Sequence, residues 1–398
     1  MSENKLNFDI TIIGGSFAGM TAALALALVD EKLEIAIIEK QDIKNHDRKS
    51  DGRAYAISSA SLKLFSEIGI YEETKKHAGK IADIKITDDK SPFFLDFIGL
   101  EVDTKNSQLG QIIESYQIHN ALRNRILQQK NISLFCPNFY EKIEFGDTVS
   151  KVTLDNNEVI GTKLILACDG RFSKLREIYN IFTTKKDYHQ TAIVFNISHE
   201  KFHHDIAYEK FFPGGPLAIL PLQNQQQSSI VWIAPNEMAE AILALDEENF
   251  VHQLEKKCDG VLGKISNVTD KFSYPLMLIE AQKFYHEKML LIGDAACGVH
   301  PIAGQGFNLA IAGIKILRDL IREYRLSGLD ITNSNLILSY NNIARKNAKR
   351  MLVATDILNS LFEIKSLTLS IARSLGLGLV NKVPTLKKFF IKSAGGVS

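Results

Sequence analysis

The chain has 398 residues, 45% hydrophobic and 23% charged, enough for two domains with full cores and unlike a disordered or fibrous protein. Its 47 Lys and Arg balance 46 Asp and Glu, so no overall positive field recruits nucleic acid. Cys136, Cys168, Cys258 and Cys297 form no C-x-x-C pair and lack zinc-site spacing, so reduced thiols and no bound metal are expected.

The N-terminal "MSENKLNFD" is polar and mixed in charge, without the basic and apolar regions of a signal peptide. No uninterrupted apolar window of about 18 residues occurs. These features lead us to expect a cytoplasmic protein, at most peripheral on the inner face of a membrane.

Residues 8–13, "FDITII", form an apolar, β-branched run typical of a buried parallel strand. The turn "GGSFAG" follows, then "GMTAALALALV", a stretch of high helix propensity, then a second buried strand "LEIAIIEK". This is a β-turn-α-β unit of about 30 residues, the context a dinucleotide-binding turn requires. Gly14 permits the tight turn, and Gly19 permits close packing of helix on strand. Ser16 replaces the middle glycine of G-x-G-x-x-G; its small side chain leaves room for phosphate and can donate to it. Gly15 and Ala18 complete the small-residue turn. Glu39 ends the second strand, followed by Lys40, and its carboxylate is placed to accept from both hydroxyls of an adenosine ribose. An acid there disfavours a 2′-phosphate, so FAD or NAD is expected at this site rather than NADP.

Residues 80–100 and 180–275 alternate apolar and polar positions, with turn signals such as "FPGGP", and read as antiparallel strands. Two further buried strands end in acidic turns: "KLILACDG" at Asp169 and Gly170, and "MLLIGDAA" at Asp294. After the second, "PIAGQG" leads into a helix beginning just after Gly306, in which Phe307, Ile311, Ile314, Leu317 and Ile321 keep helical spacing. In "LLIGDAACGVHPIAGQGFNLA", Asp294 can hold a hydroxyl of a sugar-like chain. Gly304 and Gly306 let backbone approach a bulky ring, and the helix start offers its positive dipole end to anionic atoms. The architecture expected is α/β: a discontinuous, Rossmann-like FAD-binding domain over 1–79, 101–179 and 276–330. A mostly antiparallel β-sheet substrate domain over 80–100 and 180–275 interrupts it, and a helical C-terminal region follows over 331–398.

That last region carries the one strong charge asymmetry. From residue 361 onward Lys365, Arg373, Lys382, Lys387, Lys388 and Lys392 oppose only Glu363. An apolar face of Leu361, Phe362, Leu367, Leu369, Ile371, Leu375 and Leu379 suits an anionic membrane surface or a partner helix, and equally suits packing on the body.

Gly14 to Gly19, Glu39, "DGRAYAIS" with Arg53, "CDG" at 168–170, "PLAILPL" at 216–222 and "GDAACGVHPIAGQGFN" together resemble the single-component FAD-dependent aromatic hydroxylases. The wording "HPIAGQGFN" is most similar to the branch acting on polyprenylated phenols in ubiquinone biosynthesis. The resemblance spans most of the chain and implies a para-hydroxybenzoate-hydroxylase-like fold. It implies that Glu39 binds the adenosine ribose, Arg53 the phosphate or flavin region, and Asp294 the ribityl chain or pyrophosphate side. Residues Pro301 to Asn308, with Gly304, Gln305, Gly306 and Phe307, would border the isoalloxazine ring. Asp169 and Gly170 resemble a motif handling both FAD and NAD(P)H, and Gln111 stands where related hydroxylases can have a flavin-contacting glutamine. "QIIESYQ" at 111–117 is a loose version of the branch's V-E-N-R, and Asp294 and Cys297 stand where the branch often has Asn and Gln.

The resemblance further implies that NAD(P)H docks transiently and that a C4a-hydroperoxide of the flavin delivers oxygen from O2 to a lipophilic phenol. In keeping with that, no second glycine-rich unit for a nicotinamide domain is found. No catalytic base is assigned. His300 reads as a positioning or packing residue and Cys297 as a buried filler. His199, His203 and His204 read as lying in a polar loop without metal-binding partners. A flavin-dependent halogenase is excluded, because Trp232 is the only tryptophan and W-x-W-x-I-P needs two. A flavin-dependent reductase of a prenyl lipid and a non-catalytic subunit of a quinone-biosynthesis complex remain as alternatives.

Overall fold

Strand β1 (Leu6–Ile13) has no solvent face at its centre: Ile10 and Ile12 are fully buried, as expected of a strand with neighbours on both edges and layers above and below. Helix α1 (Phe17–Ala27) is apolar all round and buried from Gly19 to Ala27, so it sits inside the molecule. Strand β2 (Ile35–Ile38) completes the unit in parallel with β1. The computed structural model describes residues 6–47, 49–88, 94–98, 108–299 and 305–363.

Strand β3 (Ala54–Ser58), helices α2 (Ser59–Glu67) and α3 (Tyr71–Thr74), and strands β4 (Gly79–Ile81), β5 (Asp83–Asp88), β6 (Phe94–Ile98) and β7 (Gly110–Glu114) follow. Helix α4 (Ser115–Ile126) packs against α1 and leads into β8 (Ile132–Phe135), β9 (Tyr140–Glu144), β10 (Ser150–Leu154) and β11 (Val159–Ala167). After the short α5 (Lys174–Ile178) come β12 (Thr183–His199), β13 (Ile206–Phe212), β14 (Gly215–Pro221) and β15 (Gln227–Pro235). Helices α6 (Asn236–Leu243) and α7 (Glu247–Cys258) precede β16 (Ile265–Val268), β17 (Phe272–Ala281), β18 (Tyr285–His286), β19 (Met289–Leu291) and β20 (Cys297–Gly298). The described chain closes with α8 (Gln305–Leu326) and α9 (Ser334–Glu363). Helix α8 thus begins slightly before the start expected after Gly306.

The first sheet has the order β18-β19-β11-β1-β2-β8, with β10 joining β11 to β9. Its central strands are parallel, and β1 lies between β2 and β11. The chain leaves β1 at the point where the strand order reverses, and there the carboxyl ends of the strands open a crevice. Helix α9 shares this core: Tyr340 is buried, and its hydroxyl donates to the Leu291 carbonyl at 3.0 Å.

The second sheet has the order β20-β17-β12-β15-β14-β13-β5-β6. It is antiparallel except where β13 pairs in parallel with β5, and β17 runs across residue 275. One face packs Phe195 and Trp232 against Phe250 of α7. The opposite face, with Ala192, Val194, Ile233 and Leu276, turns toward the first sheet. A three-stranded sheet, β3-β7-β4, lies between them, held by Ile81, Ile112, Ala207 and Leu222.

Gly14 and Gly170 both have positive φ, at +105° and +84°, but only Gly14 is crowded: a Cβ there would lie 2.5 Å from the Cys168 carbonyl oxygen. Gly14→Ala is therefore expected to cost more than about 2 kcal/mol, and Gly170→Ala about 1 kcal/mol, for backbone strain alone. Urea unfolding of both variants checks this, and equal losses would contradict it.

Candidate active site

The β1–α1 turn is built from backbone contacts. The Gly14 N–H donates to the Ile38 carbonyl at 2.9 Å, and a Cβ on Gly19 would lie 1.9 Å from the Gly14 carbonyl oxygen. Ser16 is the N-cap of α1 with extended backbone, and its side chain makes no capping hydrogen bond. Glu39 is drawn into the turn itself: its carboxylate accepts from the Gly15 N–H at 2.7 Å and the Gln41 N–H at 2.9 Å. A carboxylate has about four acceptor sites, so capacity for hydroxyl donors remains.

Ser16, Phe17 and Ala18 open onto a cavity of about 590 Å³ between the two large sheets. Arg53, Gly170, Asp294, Gly306 and Phe307 line it as well, so seven of the residues singled out in the sequence meet on one void: these five with Ser16 and Ala18. Asp294 sits on a 3-10 turn after β19, where Gly293 adopts φ +61° and its α-carbon faces the Ala18 side chain across a close gap. The Asp294 side chain keeps 42% exposure because it faces the void. Burial pushes its carboxyl above the ordinary carboxylate range, opposed by Arg171 and Arg53. Arg53 donates through Nε to Asp51 at 3.0 Å and lies over the Tyr274 ring at 5.2 Å. Burial works against its charge, but Tyr55, Asp51 and Tyr274 outweigh it and hold the guanidinium protonated.

Four contacts made by two arginines tie the acidic turns together. Arg176 donates to the carbonyls of Ala295 and Arg171, both at 2.8 Å, and Arg171 donates to the Val299 carbonyl and lies 3.9 Å from Asp294. Asp169 accepts from the Leu175 N–H with one carboxylate oxygen. Its other oxygen and Arg171 Nε are buried without a hydrogen-bond partner among the described residues. Arg171 follows the "CDG" stretch directly and Tyr55 lies within "DGRAYAIS", so their sequence positions could have marked them; Arg176 and Tyr274 had no such signal.

Other expected site residues lie elsewhere. Asn308 gives its polar atoms to β3 and α2, accepting from Ser58 N–H and Ser61 hydroxyl and donating to the Ala56 carbonyl. It anchors the start of α8, beside Phe307, which stacks on Tyr55 at 4.9 Å. Gln111 is buried on β7 outside the cavity lining, with its side-chain oxygen lacking a partner among the described residues, and Lys40 is exposed. Gly14, Gly15, Gly19 and Asp169 shape the turns behind the lining. His300, Pro301 and Gly304 lie outside the described residues, as does the side chain of Gln305.

The polar loop expected around His199 and His203 is corrected: both are buried. His199 bonds Ser228 Oγ at 2.9 Å and the Lys201 carbonyl at 2.8 Å, and His203 bonds the Leu222 carbonyl at 3.0 Å, closing the ends of β12 and β14. Cys297 is buried, and burial first, then Glu280 and Asp294, pushes its thiol up to about 12. Among the described residues no group of three His, Cys, Asp or Glu is placed to hold a metal.

A Rossmann-like turn and an antiparallel sheet facing one cavity are what a flavoprotein needs to bring cofactor and substrate together. The model of the FAD binding domain family matches residues 7–355, and the chain belongs to that family; it is an FAD-dependent monooxygenase with FAD as its cofactor. It is 32% identical over 389 residues to the ubiquinone hydroxylase UbiL of Rhodospirillum rubrum, covering 98% of this chain and 89% of that protein. It is 28% identical to the ubiquinone hydroxylase UbiM of Neisseria meningitidis, covering 98% and 85%. In fold it is similar to p-nitrophenol 4-monooxygenase PnpA from Pseudomonas putida DLL-E4, with TM-score 0.80, 14% identity, and 99% and 100% coverage.

The residues present fit that cofactor. A small-residue turn at a helix N-terminus opens on the void, and a guanidinium and a carboxyl face it. Ser16→Gly is expected to leave FAD bound, whereas Ser16→Glu places a bulky anion at the helix start and expels it. Flavin absorbance of the purified variants reads this, and a flavin-free wild type would contradict it.

Proposed function

We propose that this monooxygenase hydroxylates the aromatic ring of a polyprenylated phenol in ubiquinone biosynthesis, with NAD(P)H and O2 as co-substrates. The two relatives named ubiquinone hydroxylases support the substrate class. The observation that carries the reading is the cavity itself, in which the flavin turn and an apolar strand face look onto the same void. Bound FAD supplies the hydride acceptance and oxygen activation that side chains lack.

The chain's own groups bind, orient and exclude water. In this reading the positive end of α1, with Ser16 and Ala18, receives the pyrophosphate. Glu39 takes the ribose hydroxyls with the acceptor sites that Gly15 and Gln41 leave, while Asp294 holds the ribityl side. Arg53, fixed by Asp51, faces the phosphate or flavin region. Gly170, Gly306 and Phe307 border the ring system, and Asn308 acts behind it by fixing β3. Val194, Val231, Ile233 and Leu276 form a dry wall for an apolar ring and its prenyl chain. Segments 1–79, 101–179 and 276–330 serve the cofactor, and 80–100 with 180–275 the substrate.

No helix among the described residues is long and apolar enough to cross a membrane. The basic stretch beyond residue 361 is the proposed contact with an anionic membrane surface or a quinone-biosynthesis complex.

Deleting the gene in its host is expected to make a polyprenylphenol lacking one ring hydroxyl accumulate, as read by mass spectrometry of lipid extracts. Unchanged quinone intermediates would contradict the reading. Co-sedimentation with anionic liposomes should fall when residues 361–398 are removed, and equal binding with and without them would sink the membrane contact.

A further inference from the structure

Strand β13 alternates its side chains between two faces, and Ala207, Glu209 and Phe211 line the cavity. Glu209 stands in register with Ile86 on β5 and Ala218 on β14, and Ile84, Leu220 and Val231 complete its surroundings. A carboxyl is the one charged group on this otherwise apolar strand face. No described residue gives it a hydrogen bond or an ion pair. The opposite wall of the cavity differs, since its charges are matched: Arg53 by Asp51, and Asp294 by nearby Arg171.

We propose that Glu209 is the proton acceptor that receives the phenolic hydroxyl of the substrate. The inference rests on the substrate class proposed above. An unpaired carboxyl among aliphatic side chains costs stability, and a ligand O–H is the partner that the void in front of it admits. In the step, the phenolic O–H bond breaks and its proton forms an O–H bond on the Glu209 carboxylate. The electron pair stays on the phenolate oxygen, where it raises the electron density of the ring positions that take up oxygen. The same carboxylate repels a ring bearing a carboxylate of its own, so the site selects neutral phenols.

The titration of Glu209 supports this placement. Among the described residues the titratable groups lining the cavity from other elements are Arg53, Cys168, Arg171, Asp294, Tyr55 and Tyr274, with Tyr208 adjacent on β13; none shifts Glu209, and burial alone pushes its carboxyl up to about 7. Lys85 and Lys210 alternate to the other face, where Lys210 donates to the Cys258 carbonyl at 3.0 Å. The acceptor form is therefore gained as pH rises through about 7.

The test compares holoenzyme and Glu209→Gln, both checked for FAD content, using a short-chain prenylated phenol. Ultraviolet difference spectra follow ionisation of the bound phenol, and turnover is measured across pH. The wild type is expected to bind the phenol increasingly as phenolate above about pH 7, with kcat/KM rising through the same range. Glu209→Gln should keep FAD, lose the phenolate band and the rising limb, and fall roughly tenfold to a hundredfold in kcat/KM. An unchanged band and pH profile in the variant would overturn the assignment of Glu209 alone. A wild type that holds FAD but neither binds nor hydroxylates the phenol would overturn the substrate class and this inference with it. A stability readout stands apart from activity. The folded carboxyl titrates above its unfolded value, so the wild type loses stability as pH rises toward about 7 and stays penalised above it. Glu209→Gln should therefore melt higher than wild type at about pH 8, with the gap closing by about pH 5. A variant that melts lower at the higher pH would mark Glu209 as a paired structural group and end the proposal.

Discussion

The site depends on one close approach. Helix α1 can start where it does only because Gly19 brings its backbone against the Gly14 carbonyl, where any Cβ would be 1.9 Å from the oxygen. That contact sets the helix end at the reversal of strand order and orients Ser16, Phe17 and Ala18 toward the cavity. The Glu39 carboxylate holds the same turn from the β2 side through the Gly15 N–H, and Gly293 admits Ala18 from the β19 side. Three strand ends are thereby locked around a single helix start.

The second sheet supplies what the first cannot. A parallel sheet covered by helices has no free apolar face for a substrate, whereas the antiparallel sheet buries one face under α6 and α7 and leaves the other toward the void. Links between the layers fix the spacing: Tyr274 donates to the Asp51 carbonyl at 2.9 Å, and Asn196 donates to Glu114 at 2.7 Å. The residue that orients Arg53 is therefore itself held by a strand of the opposite sheet. Helix α8 closes the remaining side, because Asn308 spends its hydrogen bonds on β3 and leaves Phe307 stacked on Tyr55.

Much of this was legible in the residues. The β1–α1–β2 unit, the acidic strand ends at Asp169 and Asp294, and the amphipathic start of α8 all carry local signals, since turn chemistry and periodicity are properties of short windows. Contacts between distant segments carry none. Arg176 reads as an ordinary residue of a short helix, yet it ties that helix to the Asp294 turn. Asn308 looks like a cavity residue by position and instead supports β3 from behind, and Gln111 is buried on β7 outside the lining. His199 and His203 sit in a polar-looking stretch, but the pairing of β12 with β15 and the neighbouring hairpin bury them. Glu209 is hidden most completely: only the register with Ile86 and Ala218 places a carboxyl among aliphatic neighbours.

We propose that the cofactor turn and the apolar strand face serve one reaction, transfer of an oxygen atom from O2 to a prenylated phenol. Incubating the FAD-loaded protein with NAD(P)H, a short-chain prenylphenol and isotopically labelled O2, followed by mass spectrometry of the product, tests it directly. A ring hydroxyl carrying one labelled oxygen atom is expected. Consumption of NAD(P)H with no labelled phenolic product would contradict it.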